Sequence, residues 1–260
     1  MVESPAPAAA ASLRERAIAA IALLDLTSLN AGDTAEGIAA LCRRAANPAP
    51  GLPPAAAVCI LPRFVAAARK AVAGSAVRVA SVAGDFPSGR APLSARVEEV
   101  RRAVGDGADE IDAPGGFSQG DERRAASDIA AIREACGAAT LKVILETGAL
   151  DSPGRIRRAA EIAIASGADF LKTSTGRIAP GATPAAVRIL LEEARGAERR
   201  TGRIVGVKAS GGIRRAEDAF GYLDLARRIL GPGALVPARF RIGASALLDD
   251  LAAAALDGRR

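Results

Sequence analysis

ADFLKTS (residues 168–174), a helical stretch over 184–200 and then GRIVGVKAS (202–210) form one strand–helix–strand unit, and the pattern repeats along the chain. Short, near-continuous apolar runs, rather than in–out alternation, are the strands of a parallel sheet covered by helices. Upstream, TLKVILET (140–147) precedes a helical stretch at 153–166, ADEIDAP (108–114) one at 121–135, and VRVASVAG (77–84) one at 92–106. Further back, AAVCILP (56–62) leads into 63–73, and the first apolar run ends AIAAIALLDLT (17–27) before a helical stretch at 34–46. Downstream, a helix over 214–230 leads to RFRIGAS (239–245) and a last helix at 245–257. Eight strand–helix units with an extra helix in front, and no composition shift or Pro/Ser-rich linker, predict a single α/β domain. Its architecture is a closed (β/α)8 TIM barrel. A doubly wound open sheet would carry a nucleotide loop at its switch point. The first βα turn, DLTSLNAGDT (25–34), has no GxGxxG, and no GxxxxGK[ST] occurs. The barrel domain is expected over 12–260, with residues 1–11 a disordered lead rather than a secretory signal.

Composition narrows the chemistry. The chain of 260 residues contains no histidine, which removes Ser-His-Asp triads, Cys-His pairs and His-ligated zinc. Acid–base work falls to Asp, Glu, Lys, Cys or the single Tyr222. Cys42, Cys59 and Cys136 have no metal or redox spacing and read as reduced thiols of a cytoplasmic protein. The formal charge of +6 comes from basic residues scattered among acids, with aromatics at only 3%. That pattern predicts a solvated surface that mildly attracts small anions, not a nucleic-acid or membrane partner.

Barrel enzymes work at the C-terminal ends of their strands. Those ends carry Asp25, Cys59, Asp85, Asp112, Glu146, Lys172, Lys208 and Ser245. Lys172 and Lys208 stand on adjacent strands, each after an apolar run, where lysines are rarely buried unless paired. They could simply be salt-bridged to Asp112 or Glu146. Two such lysines beside a carboxylate favour chemistry instead, because burial and a second ammonium can free an amine for Schiff-base formation. Asp112 would then shuttle protons through water. The loops STGRIAPG (174–181), ASGGIRRAED (209–218) and GASALLDD (243–250) converge on one side of the barrel. Gly211, Gly212, Ser245 and Arg177 there suit a phosphate, although the glycines could serve only as tight turns and Ser245 only as an N-cap.

LLDLTSLNAGDT (23–34), AAVCILPRFVAAARKAV (56–72), ADEID (108–112), LKVILETG (141–148), ADFLKTSTG (168–176), VGVKASGGIR (205–214) with AEDA (216–219), and RIGAS (241–245) together resemble the deoxyribose-phosphate aldolases. The resemblance runs from about Leu23 to about Leu251 and implies a metal-free, cofactor-free class I aldolase on a TIM barrel. It implies reversible cleavage of 2-deoxy-D-ribose 5-phosphate to D-glyceraldehyde 3-phosphate and acetaldehyde. By the same resemblance, Lys172 is the Schiff-base lysine, Lys208 its perturbing partner and Asp112 the relay carboxylate. Asp25, Thr27, Cys59 and Thr175 fall at substrate-facing positions, and Gly176, Arg177, Gly211, Gly212, Gly243 and Ser245 where the family grips phosphate. A homodimer is common among relatives.

The chain departs from the family's pattern at APGGF (113–117) after the relay carboxylate, and at Asp85 before the Phe-Pro pair. Ala246 stands where some relatives have a second serine, and LDGRR (256–260) lacks a tyrosine that some carry. Asp85 is expected to face solvent rather than reshape the aldehyde pocket. Two other readings stay open: a phosphosugar aldolase or isomerase with a different acceptor pocket, and a non-catalytic phosphosugar binder.

Overall fold

The computed structural model describes residues 11–257; the expected lead at 1–11 lies, but for Ala11, outside them, as do 258–260. Eight parallel strands close into a barrel in chain order, β1 pairing with both β2 and β8. They are β1 (Leu24–Thr27), β2 (Ala57–Ile60), β3 (Arg78–Val82), β4 (Glu110–Pro114), β5 (Thr140–Ile144), β6 (Phe170–Lys172), β7 (Gly206–Ser210) and β8 (Phe240–Ala244). The helices around them are α2 (Ala35–Ala46), α3 (Val65–Ala71), α4 (Leu93–Gly105), α5 (Glu122–Cys136), α6 (Pro153–Ala165), α7 (Pro184–Thr201), α8 (Ala216–Leu230) and α9 (Leu247–Asp257). The extra N-terminal helix, α1 (Leu13–Ala22), precedes β1. The TIM barrel and its leading helix are therefore as the alternating pattern predicts.

Local chemistry sets the element ends. Ser12 and Glu15 form a capping box at the start of α1, and Thr34, Asp121, Ser152 and Thr183 accept a first-turn N–H of α2, α5, α6 and α7. Pro153 and Pro184 occupy the first turns of α6 and α7, where a missing N–H costs nothing. The apolar side chains between barrel and helix ring are mostly Ala, Val, Leu and Ile, forming one extended core. Gly206 exists for packing: a Cβ there would overlap the Phe170 ring. No helix among the described residues is long and apolar enough to cross a membrane.

A buried tie joins the elements on the β3–β4 side. Arg96 of α4 donates to the Gly84 carbonyl (3.2 Å), the Pro114 carbonyl (3.1 Å) and Asp128 of α5 (2.6 Å). Asp85, in the left-handed region at φ 63°, turns its carboxylate onto its own loop, accepting from Arg90 N (2.8 Å), Ala91 N (3.1 Å) and the Ser88 hydroxyl. Asp85 thus organises the β3–α4 turn.

Candidate active site

Side chains two residues apart on a strand share a face. In a closed barrel this places Asp25, Glu110, Asp112, Lys142, Lys172, Lys208 and Arg241 in one interior, and all seven are buried. The register fixes their neighbours: Asp112 pairs with Lys142, Ile144 with Lys172, Lys172 with Lys208, and Lys208 with Arg241. Charges that look independent along the sequence therefore form a single network.

Asp112 is its hub. Its Oδ2 accepts from Lys172 Nζ at 2.8 Å and from Lys208 Nζ at 2.7 Å, while its Oδ1 accepts from Lys142 Nζ at 2.8 Å. Lys208 Nζ also lies 2.6 Å from Asp25 Oδ2. Below, Lys142 Nζ meets Glu110 at 2.5 Å and Asp25 at 3.6 Å, and Arg241 spans Asp25 (2.6 Å) and Glu110 (2.7 Å). Burial by itself would raise the Asp112 carboxyl, but the Lys142, Lys172 and Lys208 ammoniums outweigh it and hold that group well below the usual range. Burial likewise disfavours the Lys208 ammonium, yet Asp112 and Asp25 prevail and keep Lys208 well above its ordinary value. Lys142 is raised too: burial is again outweighed, by Asp112, Glu110 and Asp25.

Ion pairing separates the three lysines. Four buried cations, Lys142, Lys172, Lys208 and Arg241, face three buried carboxylates, Asp25, Glu110 and Asp112. Arg78, mostly exposed, only approaches Glu110 at 3.8 Å. Lys208 touches two of these carboxylates and Lys142 all three, whereas Lys172 touches only Asp112. Lys172 is thus the amine held by the fewest ion pairs, and it lines the open cavity.

That cavity, about 270 Å³, sits over β6, β7, β8 and β1. Lys172 and Lys208 line it together with Thr27, Thr175, Gly176, Arg177, Gly211, Gly212, Gly243 and Ser245. Gly176, Gly211 and Gly212 have φ of 78°, 91° and 83°, a backbone that lets loop N–H groups turn toward an anion. Gly243 is different: a Cβ there would lie 2.8 Å from Lys208 Cε and 2.9 Å from Ser210 Cβ, so its missing side chain makes room for the lysine. The Arg177 guanidinium donates to the Leu29 carbonyl, tying the β6–α7 loop to the β1–α2 loop.

Some expected positions fall elsewhere. Asp25 and Cys59 are fully buried and do not line the cavity. Asp25 lies beneath Lys208, and the Cys59 thiol, pushed up by burial, sits 3.7 Å from Asp112 Oδ2. Glu146 is no partner of the lysines; its Oε2 accepts from the Thr175 hydroxyl (2.6 Å) and N–H (3.2 Å). Lys142, Glu110 and Arg241 were absent from the sequence reading, as were Ser210 and Arg214 of the cavity wall. Their signal was present: all three are charges inside apolar runs, Glu110 two residues before Asp112 on β4, Lys142 in register with Asp112 and Arg241 in register with Lys208.

A closed parallel barrel with a buried lysine–carboxylate network beneath a glycine-rich cavity is the architecture of a (β/α)8-barrel enzyme. The family description "DeoC/LacD family aldolase" matches residues 19–252, and the chain belongs to that family. The deoxyribose-phosphate aldolase of Agrobacterium fabrum is 48% identical over 243 residues, covering 92% of this chain and 91% of the relative. A Toxoplasma gondii crystal structure, provisionally assigned as a deoxyribose-phosphate aldolase, superposes with a TM-score of 0.83 at 28% identity, over 94% of this chain and 95% of that one. The tetrameric deoxyribose phosphate aldolase of Aeropyrum pernix gives a TM-score of 0.71 at 27% identity, over 95% and 98%.

Proposed function

We propose that this protein is a class I aldolase that reversibly cleaves 2-deoxy-D-ribose 5-phosphate to D-glyceraldehyde 3-phosphate and acetaldehyde. The observation that carries the mechanism is the single oxygen, Asp112 Oδ2, within 2.8 Å of both Lys172 Nζ and Lys208 Nζ. Family membership and the close Agrobacterium relative support the substrate.

In this reading the neutral Lys172 amine attacks the C1 carbonyl, and the carbinolamine loses water to give an iminium. The iminium accepts the electron pair of the C2–C3 bond as it breaks, while the C3 hydroxyl loses its proton and leaves as the aldehyde of glyceraldehyde 3-phosphate. The enamine left on Lys172 is protonated at C2, and water releases acetaldehyde. Asp112 and Lys208 pass the protons, Lys208 regaining its charge after each transfer because Asp112 and Asp25 favour its ammonium form. Asp25 and Cys59 flank these groups from below, while Thr27 and Thr175 meet the substrate's hydroxyls. Gly176, Arg177, Gly211, Gly212 and Ser245 surround the phosphate, with Gly243 leaving Lys208 its space. The enzyme works in the cytoplasm in this reading, its buried thiols kept reduced, and assembles as a homodimer.

Borohydride trapping with 2-deoxyribose 5-phosphate, read by intact mass and peptide mapping, is the test. The expected result is one reduced adduct on Lys172, and Lys172→Ala should give none and lose turnover while staying folded. An adduct at another lysine, or substantial activity in the alanine variant, would remove Lys172 from the role.

A further inference from the structure

A second cavity of about 260 Å³ opens in the barrel mouth beside the first, among the loops that follow β3, β4, β5 and β6. Thr175 and Arg177 belong to both cavities, so the two meet there. Its inner surface includes Pro114 and Ile144, two residues beyond Asp112 and Lys142 on the same strand faces. Ile144 is the register partner of Lys172. The rest of the wall includes the apolar Phe117 and Ile178, the polar Ser88, Arg90 and Ser118, and the carboxylate of Glu146.

Glu146 is the unusual member. It is held in the left-handed region at φ 54°, a conformation uncommon outside glycine, and is nine-tenths buried. Its Oε2 is occupied by Thr175, but its Oε1 is shut from solvent and accepts no hydrogen bond among the described residues. A buried carboxylate oxygen without a donor is costly, and a ligand hydroxyl would satisfy it. In the proposed cleavage of deoxyribose 5-phosphate the phosphate arm would lie among the glycine loops over β7 and β8, and the carbon on Lys172 would carry only hydrogen on its other side.

We propose that the second cavity is a subsite for the far substituent of the donor carbonyl compound, and that it selects methyl ketones bearing a hydroxyl beyond the carbonyl. The inference rests on the Schiff-base reading of Lys172. The ketone carbonyl condenses with the Lys172 amine, releasing water, and a methyl proton is removed to give the enamine. That carbon attacks the aldehyde carbon of glyceraldehyde 3-phosphate, whose oxygen takes up a proton. Water then cleaves the iminium. Hydroxyacetone would thus yield a 3-deoxy-2-ketohexose 6-phosphate, with its hydroxymethyl group beside Glu146.

The test compares synthesis with glyceraldehyde 3-phosphate from hydroxyacetone and from its alkyl counterpart 2-butanone, and likewise from 4-hydroxy-2-butanone and 2-pentanone. Deoxyribose 5-phosphate cleavage and borohydride trapping run alongside. At least one hydroxyketone should exceed its alkyl counterpart in kcat/KM by about tenfold or more, the worth of one hydrogen bond to a buried carboxylate. In Glu146→Gln that ratio should fall severalfold; it is taken within one enzyme, so any change at Thr175 cancels. If deoxyribose 5-phosphate is cleaved but neither hydroxyketone outperforms its counterpart, the subsite proposal is wrong while the aldolase reading stands. If deoxyribose 5-phosphate is neither cleaved nor trapped on Lys172, the aldolase reading itself fails and the subsite proposal falls with it.

Discussion

At the residue scale, function depends on where one ammonium sits. Lys208 reaches both Asp25 and Asp112 only because residue 243 has no Cβ, which would otherwise stand 2.8 Å from Lys208 Cε. Gly243→Ala should displace the Lys208 side chain by about 1 Å, the difference between 2.8 Å and an ordinary carbon–carbon contact, without unfolding a strand whose φ suits any residue. Misplacement on this scale can cost about a hundredfold in rate. We expect kcat for deoxyribose 5-phosphate to fall by roughly that factor, with KM changing little and the circular dichroism spectrum unaltered. A variant with wild-type kcat would show that Lys208 is not held in place by this contact. The two lysines and Asp112 could be read from the sequence because each ends an apolar run at the catalytic end of a strand. Gly243 could also be singled out, but the reason it must be glycine became visible only once β7 and β8 were side by side.

At the scale of elements, two ties hold the loops that surround the cavity. Glu146, at the end of β5, grips the hydroxyl and N–H of Thr175 beyond β6, and the Thr175 hydroxyl in turn accepts from Arg177 N at 3.1 Å. Thr175→Val removes both side-chain hydrogen bonds while preserving shape. The β6–α7 loop then loses its anchor on the phosphate side, and KM for the sugar phosphate should rise about tenfold, with kcat affected less. That factor corresponds to about 1.4 kcal/mol, a typical hydrogen-bond contribution. An unchanged KM would mean that the loop is positioned by other contacts. On the other side of the barrel, Arg96 joins α4, α5 and the ends of β3 and β4 through Asp128 and two carbonyls. Arg96→Met leaves the buried Asp128 with only the longer 3.8 Å contact to Arg124. We expect a loss of about 3 kcal/mol in urea unfolding with an unchanged m-value. Neither tie was legible in sequence. Glu146 reads there as one more rim carboxylate, and Arg96 as one of several charges on a helix otherwise facing water. Burial and partner choice are set by tertiary geometry, which one-dimensional periodicity does not carry.

At the scale of the molecule, the eight-unit alternation made the barrel legible because parallel strands buried on both faces leave apolar runs that helices then interrupt. The lower tier of the charge network was less legible, since Glu110, Lys142 and Arg241 lie inside strands and only barrel closure brings them within 2.7 Å of one another's partners. This closed network, in a chain without histidine, predicts an unusual pH profile of stability. The Asp25 and Asp112 carboxyls are held below their ordinary values because neighbouring cations overcome the cost of burial. Their contribution is therefore complete above the unfolded value of about 3.9, and is lost as pH falls through the native ones. Lys142 and Lys208 are raised, so their contribution is complete below about 10.4 and is lost as pH rises through their native values. Burial pushes the Cys42 and Cys136 thiols up to about 11 and about 12, so their share is complete below about pH 8.5 and lost as pH climbs through those values. Between the carboxylate and thiol ranges no side chain has an ordinary pKa, because histidine is the group that titrates there and the chain has none. Urea midpoints measured from pH 3 to 11 should thus rise to a flat plateau between about pH 5 and 8, then decline, first with the thiols and later with the lysines. A step of a kcal/mol or more within that plateau would require a buried group shifted into the neutral range and would overturn this profile.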